Sequence, residues 1–273
     1  FELDSFGGIG FGLGIAGAAM ATVISQIVVF FVFIVMLFFK DHSYISFNLN
    51  DFTFSTEILW DIIKVGLPAS LSMIVMAVGQ GVFNKILIHI SVETVAAYQV
   101  AGRLDMLVFL PIFSIAASLT TLIGMFYGAK EFEALRFTIR YGIISALIIT
   151  IFSSALVYIF ADQVVRFFTE DESIVLIAVN FLQIFAFAYP FIAVGITTGR
   201  VLQGLGKGLP VLVITIVRVL GVSAPLALFF VFIMEKSVEW VWYSMMLSTV
   251  VAFAIGLTWL VSTIKKLPVK KSD

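Results

Sequence analysis

The sequence predicts an all-α, polytopic membrane protein, a helix bundle with about seven full transmembrane helices. Hydrophobic residues make up 61% of its 273 residues and charged residues only 12%, and the mean hydropathy is +1.14. A soluble domain has roughly 25% charged residues, and the 29 Phe exceed what one soluble core would use. Several apolar runs reach the ~20 residues that cross a bilayer as a helix. The bilayer is therefore the solvent for most of these side chains.

The first three helices are predicted from apolar runs at residues 14–39, 65–90 and 95–127. The first run stops at Lys40, where the longest polar interval of the chain begins (KDHSYISFNLNDFTFSTE), and this interval predicts a linker between two helical units. An amphipathic lead, ILWDIIK, enters the second helix. Only a tight turn near Ser91 separates the second helix from the third, so these two helices form an antiparallel hairpin.

Four further helices are predicted from apolar runs at residues 141–160, 174–205, 209–234 and 240–264. Charged residues or a glycine turn end each of the first three runs: TEDE lies after the first, GLGKG after the second and MEKS after the third. Prolines inside the spans each remove a backbone hydrogen bond and favour a kink; they are Pro68, Pro111, Pro190 and Pro225. Such a kink is either static or a bending point used in transport, and the sequence leaves both interpretations open.

Lys and Arg in the short loops predict the orientation of the chain in the cell membrane. One set of helix ends carries the basic residues Lys40, Lys64, Lys130, Arg136, Arg140, Lys207, Lys265, Lys266, Lys270 and Lys271. The opposite ends carry Arg166 and Lys236 among a larger number of acids. The linker and the C-terminus are therefore predicted to be cytoplasmic. Because the chain opens at Phe1 in the tail of an apolar segment, we expect it to be a fragment that lacks an N-terminal part.

No motif in the sequence predicts a catalytic or cofactor site. The absence of Cys excludes disulfides, thiolate metal sites and thiol nucleophiles, and His42 and His89 are too far apart for an HExxH zinc motif. GGIGFGLG lacks the preceding strand of a dinucleotide fingerprint, and GLGKG lacks the spacing and the Ser or Thr of a P-loop. We therefore predict no enzymatic activity, no cofactor and no nucleic-acid partner.

The stretch QVAGRLDMLVFLP places Arg103 and Asp105 inside the third helix. Residues two apart lie about 200° apart around a helix axis, so these two side chains cannot pair with each other. Each needs its own partner or water, since an ionisable group in hydrocarbon costs at least ~2.5–3.5 kcal/mol at mid-helix. Ionisable residues in this position indicate a functional site by default.

The predicted hairpin brings further polar residues to the same depth. Folding it aligns Asn84 with Tyr98, and Gln80 with Arg103. The polar groups at this one level are Gln80, Asn84, Gln99, Arg103 and Asp105. They predict a wet, protein-lined cavity, because lipid would satisfy none of them; the alternative is a polar cluster that only fixes helix packing. Arg218, roughly two turns inside the sixth helix, is a further candidate that faces protein or water.

Four stretches, in the right order and spacing, resemble the multidrug and toxic compound extrusion (MATE) family of cation-coupled efflux transporters. LGIAGAAMATVISQ is similar to the start of the family's sixth helix and VGLPASLS to the start of the seventh. VAAYQVAGRLDMLVFLP resembles the eighth helix, and YPFIAVGITTGRVLQGLGKG resembles the tenth helix with its following loop. The resemblance covers nearly the whole chain.

The resemblance implies a twelve-helix protein of two six-helix lobes around a central cavity. Residues 1–39 would then hold the tail of the fifth helix and the sixth helix of an N-terminal lobe whose remainder is missing. Residues 40–56 would be a cytoplasmic linker between the lobes, 57–266 the complete C-terminal lobe, and 267–273 a cytoplasmic tail.

The resemblance also implies where a coupling ion binds. Some family members use a Glu in the seventh helix; the matching position here is Met76, and Asp105 lies at the same depth on the neighbouring helix. Others use an Asp near the end of the fifth helix. Asp4 in LDSFGG matches that Asp by its spacing to the GAA motif, with Ser5 in place of the adjacent Pro. The implied carboxylate is therefore Asp105 or Asp4.

As a function, the resemblance implies an antiporter that exports lipophilic organic cations and related xenobiotics in exchange for H⁺ or Na⁺. The carboxylate would bind the coupling ion or the cationic drug but not both, and burial favours its protonated form. Tyr and Phe side chains would hold the drug through apolar and cation–π contact. One alternative is a flippase for lipid-linked or polar metabolites, with Arg103 and Arg218 contacting phosphate. The other is a non-transporting membrane scaffold, which would not need polar groups at one depth.

Overall fold

The structure is a computed structural model that describes residues 14–38 and 54–268. Every regular element within these two ranges is a helix, which confirms the predicted all-α class. The chain divides into two units, the first ending at Ser55 and the second beginning at Thr56. The first unit contains α1 (Gly14–Phe38), whose segment Ala19–Phe38 is long and apolar enough to cross a membrane.

The second unit holds the remaining helices of the described ranges. They are α2 (Thr56–Ile90), α3 (Val92–Gly128), α4 (Phe132–Arg166), α5 (Glu172–Ala186), α6 (Tyr189–Gly204), α7 (Leu209–Ile216), α8 (Ala224–Leu228) and α9 (Glu239–Lys265). Two π-helical segments, Val217–Ser223 and Phe229–Ile233, continue α7 and α8 into one span. Within the described part of the chain, six helices can cross a membrane, or seven if α5 and α6 form one bent span. The multi-pass architecture agrees with the predicted number of helices.

Side-chain caps fix two of the helix starts. The hydroxyl of Ser91 accepts a hydrogen bond from the backbone N–H of Thr94 and so caps α3 directly after α2. This is the tight turn that the hairpin prediction required. The carboxylate of Asp171 caps α5 by accepting from Ser173 and Ile174. The Ser173 hydroxyl, followed by the two backbone N–H groups, lowers the pKa of the Asp171 carboxyl below its usual range.

Helix α4 begins at Phe132, well before the apolar run that predicted it, which starts at residue 141. Its first turns carry Glu133, Arg136 and Arg140, because a helix can continue beyond the hydrocarbon with its charged side chains in the interface. Arg136 donates to the carbonyl oxygen of Leu267 at 3.1 Å and so ties this end of α4 to the end of α9. Hydropathy therefore marks the membrane-crossing part of α4 but not its first residue.

Helix α3 is the central element of the second unit. It packs against α4, α5 and α6, while α9 packs against α6 and the π-helical segment Val217–Ser223. Small residues allow the helices to approach closely, as is usual in membrane bundles. Gly142 of α4 lies against the side chain of Leu119, and Gly204 at the end of α6 lies against the backbone of Thr120. These contacts pack α3 closely against α4 and α6.

Gly204→Ala is expected to destabilise the bundle by about 1–3 kcal/mol, because the added methyl group overpacks a close contact. A Cβ atom at this position would lie 2.7 Å from the carbonyl oxygen of Thr120, a backbone atom that has little room to yield. Gly195→Ala is the matched control on the same helix, since a Cβ there meets nothing within 4 Å. Thermal unfolding of both purified variants in detergent checks the prediction, and equal midpoints would contradict it.

Candidate functional site

The fifth predicted span is broken where α5 meets α6. The two helices are bent by 59°, with α5 ending at Ala186 and α6 beginning at Tyr189. Pro190 lies in the first turn of α6, where its missing N–H would have no intrahelical partner in any case. The break therefore places Tyr189 at the first position of α6, and its side chain is completely buried.

Asp105 lies on α3 opposite this break. Its carboxylate accepts a hydrogen bond from the hydroxyl of Tyr189, whose ring packs edge-on against Phe109 with 5.3 Å between centroids. Asp105 is half-buried. The ion pairs of the described residues both involve Arg166, so no cationic side chain neutralises Asp105 in this part of the chain. The site therefore contains a carboxylate inside the bundle, and the group that donates a hydrogen bond to it is an uncharged hydroxyl.

Arg103 and Gln80 do not join Asp105. Both side chains are exposed, and neither has a polar partner among the residues that the structure describes. Arg103 does not meet Asp105 because the two residues lie about 200° apart around the axis of α3. The structure therefore places the two ionisable groups of the third span on different sides of one helix.

Asn84 and Gln99 meet across the α2–α3 hairpin. The side-chain N–H of Gln99 donates to the side-chain oxygen of Asn84 over 3.4 Å, which is a long hydrogen bond. Asn84 is half-buried and Gln99 is exposed. This pair lies about two helical turns from the tight turn at Ser91 that joins the two helices, as the hairpin geometry predicts.

Tyr98 links the polar site to an aromatic cluster. Its ring stacks on Trp242 of α9 at 5.9 Å and meets Phe181 of α5 edge-on at 5.7 Å. Tyr98 is half-buried, and it lies within electrostatic range of both Asp105 and Arg218. Residues from α3, α5 and α9 thus form one aromatic wall, about two helical turns from Asp105 along α3.

Arg218 lies in the π-helical segment Val217–Ser223 and contacts α2. Its Nη2 atom is 2.7 Å from the Sδ atom of Met76. A thioether is a weak acceptor, so the guanidinium has no anionic partner within the described residues. π-Helical turns are rare and occur frequently at functional sites. Arg218 is therefore a second charged group inside the bundle whose charge is not paired.

Sequence reasoning missed Tyr189, Phe181 and Trp242. Tyr189 is one residue before Pro190, and the pattern Tyr-Pro inside an apolar span was the available signal for a break at this point. Phe181 and Trp242 lie within uniformly apolar runs and have no such signal. Asp4 lies outside the described residues.

Comparison with known proteins identifies the family. The model of the family described as MatE matches residues 68–229, which is more than half of the chain. The chain belongs to the MatE family. The resemblance seen in the sequence is thereby confirmed, and α2 to α8 contain most of the matched segment.

Relatives of the MatE chain are longer than the chain itself. The probable multidrug resistance protein NorM from Thermotoga maritima is 26% identical over 258 residues, 94% of this chain and 55% of the relative. The multidrug export protein MepA from Staphylococcus aureus is 28% identical over 199 residues, 73% of this chain and 44% of MepA. A MOP superfamily transporter from Pyrococcus furiosus, described as having a binding pocket of reverse polarity, has a TM-score of 0.87 and 32% identity; the match covers 96% of this chain and 59% of that one. The chain spans about half the length of the curated relatives it matches.

Proposed function

We propose that this chain forms the C-terminal lobe of a multidrug exporter in which inward movement of H⁺ or Na⁺ drives the export of lipophilic organic cations. Family membership and the multidrug relatives support export of small molecules. The observation that supports coupling of export to H⁺ or Na⁺ is that Asp105 is a carboxylate inside the bundle with no cationic partner among the described residues.

The position of Asp105 suits an ion-exchange site. It lies thirteen residues after the start of α3 at Val92, about 20 Å along the helix at 1.5 Å per residue. A carboxylate at this depth is costly while it stays charged. It becomes neutral by taking up H⁺, and its charge is offset when it binds Na⁺ or an organic cation. Because one carboxylate binds one of these at a time, binding of the coupling ion releases the drug.

Tyr98 supplies a surface for the drug beside this carboxylate. Its ring is half-buried and is held by Trp242 and Phe181. The face of an aromatic ring attracts organic cations, with about 0.5–2 kcal/mol per contact. The hydrogen-bonded amides of Asn84 and Gln99 add polar groups at the depth of Tyr98.

We further propose that an N-terminal lobe completes the cavity in the cell membrane. The coverage of the relatives supports this, because they extend well beyond the matched half. In this arrangement residues 1–39 belong to that lobe, 40–56 form the linker, 57–266 form the C-terminal lobe, and 267–273 form a cytoplasmic tail. The excess of Lys and Arg at one set of helix ends supports the cytoplasmic C-terminus.

Arg218 favours a second candidate, a flippase for lipid-linked or polar metabolites. Among the described residues its guanidinium has one hydrogen-bond partner, the thioether of Met76, and no anionic partner, so it is available to bind phosphate. Arg103, exposed on α3, would assist in binding the same anionic group.

Transport by everted vesicles distinguishes the two candidates. The vesicles contain this chain together with its N-terminal lobe, and uptake of a fluorescent organic cation is followed under an imposed H⁺ or Na⁺ gradient. We expect uptake that an ionophore for the coupling ion abolishes and that vesicles without the protein do not show. No gradient-driven uptake of the cation, together with transfer of a fluorescent anionic phospholipid between leaflets, would support the flippase instead.

A further inference from the structure

We propose that a hollow between α4, α5 and α9 binds an uncharged, hydroxyl-bearing membrane lipid of the acylglycerol class. The hollow has a volume of about 330 Å³, at the lower end of the ~300–1,000 Å³ of small-molecule sites. This size suits a glycerol-sized headgroup with the first part of one acyl chain. Among the described residues, none of those assigned to the ion and drug site lines the hollow, so it is a second site.

Four polar side chains line the hollow, and none of them makes a side-chain hydrogen bond within the described part of the chain. They are Tyr158 of α4, Asn180 and Gln183 of α5, and Tyr243 of α9. The side-chain oxygen of Asn180 is buried as well as unpartnered. Because buried polar atoms are nearly always hydrogen-bonded, this oxygen indicates a place for a donor that the helices themselves do not supply.

These polar groups lie below the membrane surface, in the leaflet opposite to the basic helix ends. Tyr158 is eight residues before the end of α4 at Arg166, and Asn180 is eight residues after the start of α5 at Glu172. At 1.5 Å per residue, both are about 12 Å from those ends. Arg166 and Glu172 mark the aqueous surface, since they form an exposed ion pair. Half of the hydrocarbon core is about 15 Å thick, so the hollow lies within one leaflet.

The surface around the hollow is apolar and exposed, so the hollow opens to lipid. Phe187, which lines it, is 65% exposed. Further exposed apolar side chains lie near it on all three helices: Ile159 of α4, Leu176 of α5 and Leu247 of α9. A bilayer has no water at such a surface to satisfy polar groups. A molecule of the bilayer is therefore the occupant that can reach the hollow and supply the hydrogen bonds.

The lack of charge in the hollow selects against ionic headgroups. None of the described residues that line it is charged. The next charged residues along α4 are Asp162 and Arg166, which pair with each other, and Arg166 also pairs with Glu172. A phosphate or ammonium headgroup would therefore be desolvated here without a counter-charge, which is costly. A headgroup with only hydroxyl and ester oxygens avoids this cost.

An acylglycerol matches the groups that line the hollow. Its hydroxyl donates to the side-chain oxygen of Asn180, which reaches the hollow by rotation about the soft terminal torsion of the amide. The hydroxyls of Tyr158 and Tyr243 donate to its ester carbonyl oxygens. Its acyl chain contacts the apolar residues of the lining, which are Ile184, Phe187 and Met246. Hydrogen bonds thus select the headgroup, and the apolar contacts leave the acyl chain in the leaflet.

Photo-crosslinking in lipid nanodiscs tests this site. The two-lobed protein is placed in phosphatidylcholine with a small fraction of diacylglycerol that carries a diazirine near the ester, and the labelled peptides are mapped by mass spectrometry. We expect labelling of the segments of α4, α5 and α9 that line the hollow, and unlabelled diacylglycerol should compete with it. Phosphatidic acid with the same diazirine chain should label these segments several-fold less, because its phosphate finds no counter-charge.

Asn180→Leu is expected to reduce this labelling about tenfold, which corresponds to the loss of one hydrogen bond. The change removes an unpartnered buried oxygen, so a thermal midpoint at or above that of the wild type excludes unfolding as the cause. Tyr158→Phe, which loses only a hydroxyl, should reduce labelling several-fold and provides the same test should Asn180→Leu not fold. Thr258→Val is the control, since Thr258 is exposed on α9 outside the hollow and its variant should label as the wild type does.

Several results would overturn the lipid site. They are equal labelling by diacylglycerol and phosphatidic acid, labelling that the folded variants leave unchanged, and labelling spread evenly over the exposed helix faces. Loss of labelling on addition of a saturating organic cation would also overturn it, because the hollow would then belong to the drug site. The crosslinking requires no ion gradient and measures no transport, so its outcome is independent of the proposed antiport.

Discussion

Asp105→Asn is expected to reduce gradient-driven uptake of an organic cation to the level of vesicles without the protein. The amide keeps the size of the carboxyl group and can still accept the hydrogen bond from Tyr189, but it takes up no H⁺ and has no negative charge to offset that of a bound cation. No other described carboxylate lies beside Tyr189, so none can replace it at this point. The measurement is the initial rate of uptake of a fluorescent cation in everted vesicles under the gradient that drives the wild type.

Asp61→Asn is the control for this substitution. Asp61 is an exposed aspartate near the start of α2, away from the helix break, and we expect its variant to transport at the wild-type rate. Equal amounts of both variants must be present in the vesicles. Wild-type uptake by Asp105→Asn would move the carboxylate role to Asp4 or to the N-terminal lobe.

Trp242→Ala is expected to destabilise the second unit by about 3–5 kcal/mol. Trp242 is completely buried, and its ring contacts Phe181 at 4.8 Å and Tyr98 at 5.9 Å. In a bilayer the loss comes mainly from packing, since lipid is as apolar as the protein interior. Unfolding of the purified variant in mixed micelles with increasing sodium dodecyl sulfate measures the free energy.

Trp240→Ala is the matched control two residues earlier on α9. Trp240 is 38% exposed and lies at the edge of the helix bundle, so we expect a loss of about 1 kcal/mol or less. A similar loss in both variants would mean that the aromatic cluster around Tyr98 does not hold α9 in place.

The helices could be predicted from the sequence because hydropathy changes sharply at their ends. The charged stretch TEDE and the turn at Ser91 mark boundaries that the structure confirms. The start of α4 was missed because Glu133, Arg136 and Arg140 resemble a loop, although a helix tolerates them outside the hydrocarbon. Pro190 predicted the kink where α5 meets α6, and the structure confirms a bend at this point. Its angle of 59° and the burial of Tyr189 could not be predicted, because they depend on packing against other helices.

The contacts of the candidate site are of two kinds: those between residues close together in the sequence and those between residues far apart in it. Asn84 and Gln99 belong to one hairpin, so counting residues from its turn sufficed to bring them together. Asp105 and Tyr189 are separated by 84 residues, and no local pattern indicates that α6 returns to this face of α3. Arg218 and Met76 are separated by 142 residues, and the sequence periodicity does not indicate their contact either.

The proposed antiport is tested most directly by whether the cationic drug and the coupling ion exclude each other at Asp105. Equilibrium binding of an organic cation to the purified two-lobed protein is titrated while released H⁺ is measured, with and without added Na⁺. We expect roughly one H⁺ released per bound cation, or competition by Na⁺, and loss of either effect in Asp105→Asn. Binding of the cation to the wild type with neither proton release nor Na⁺ competition would contradict it.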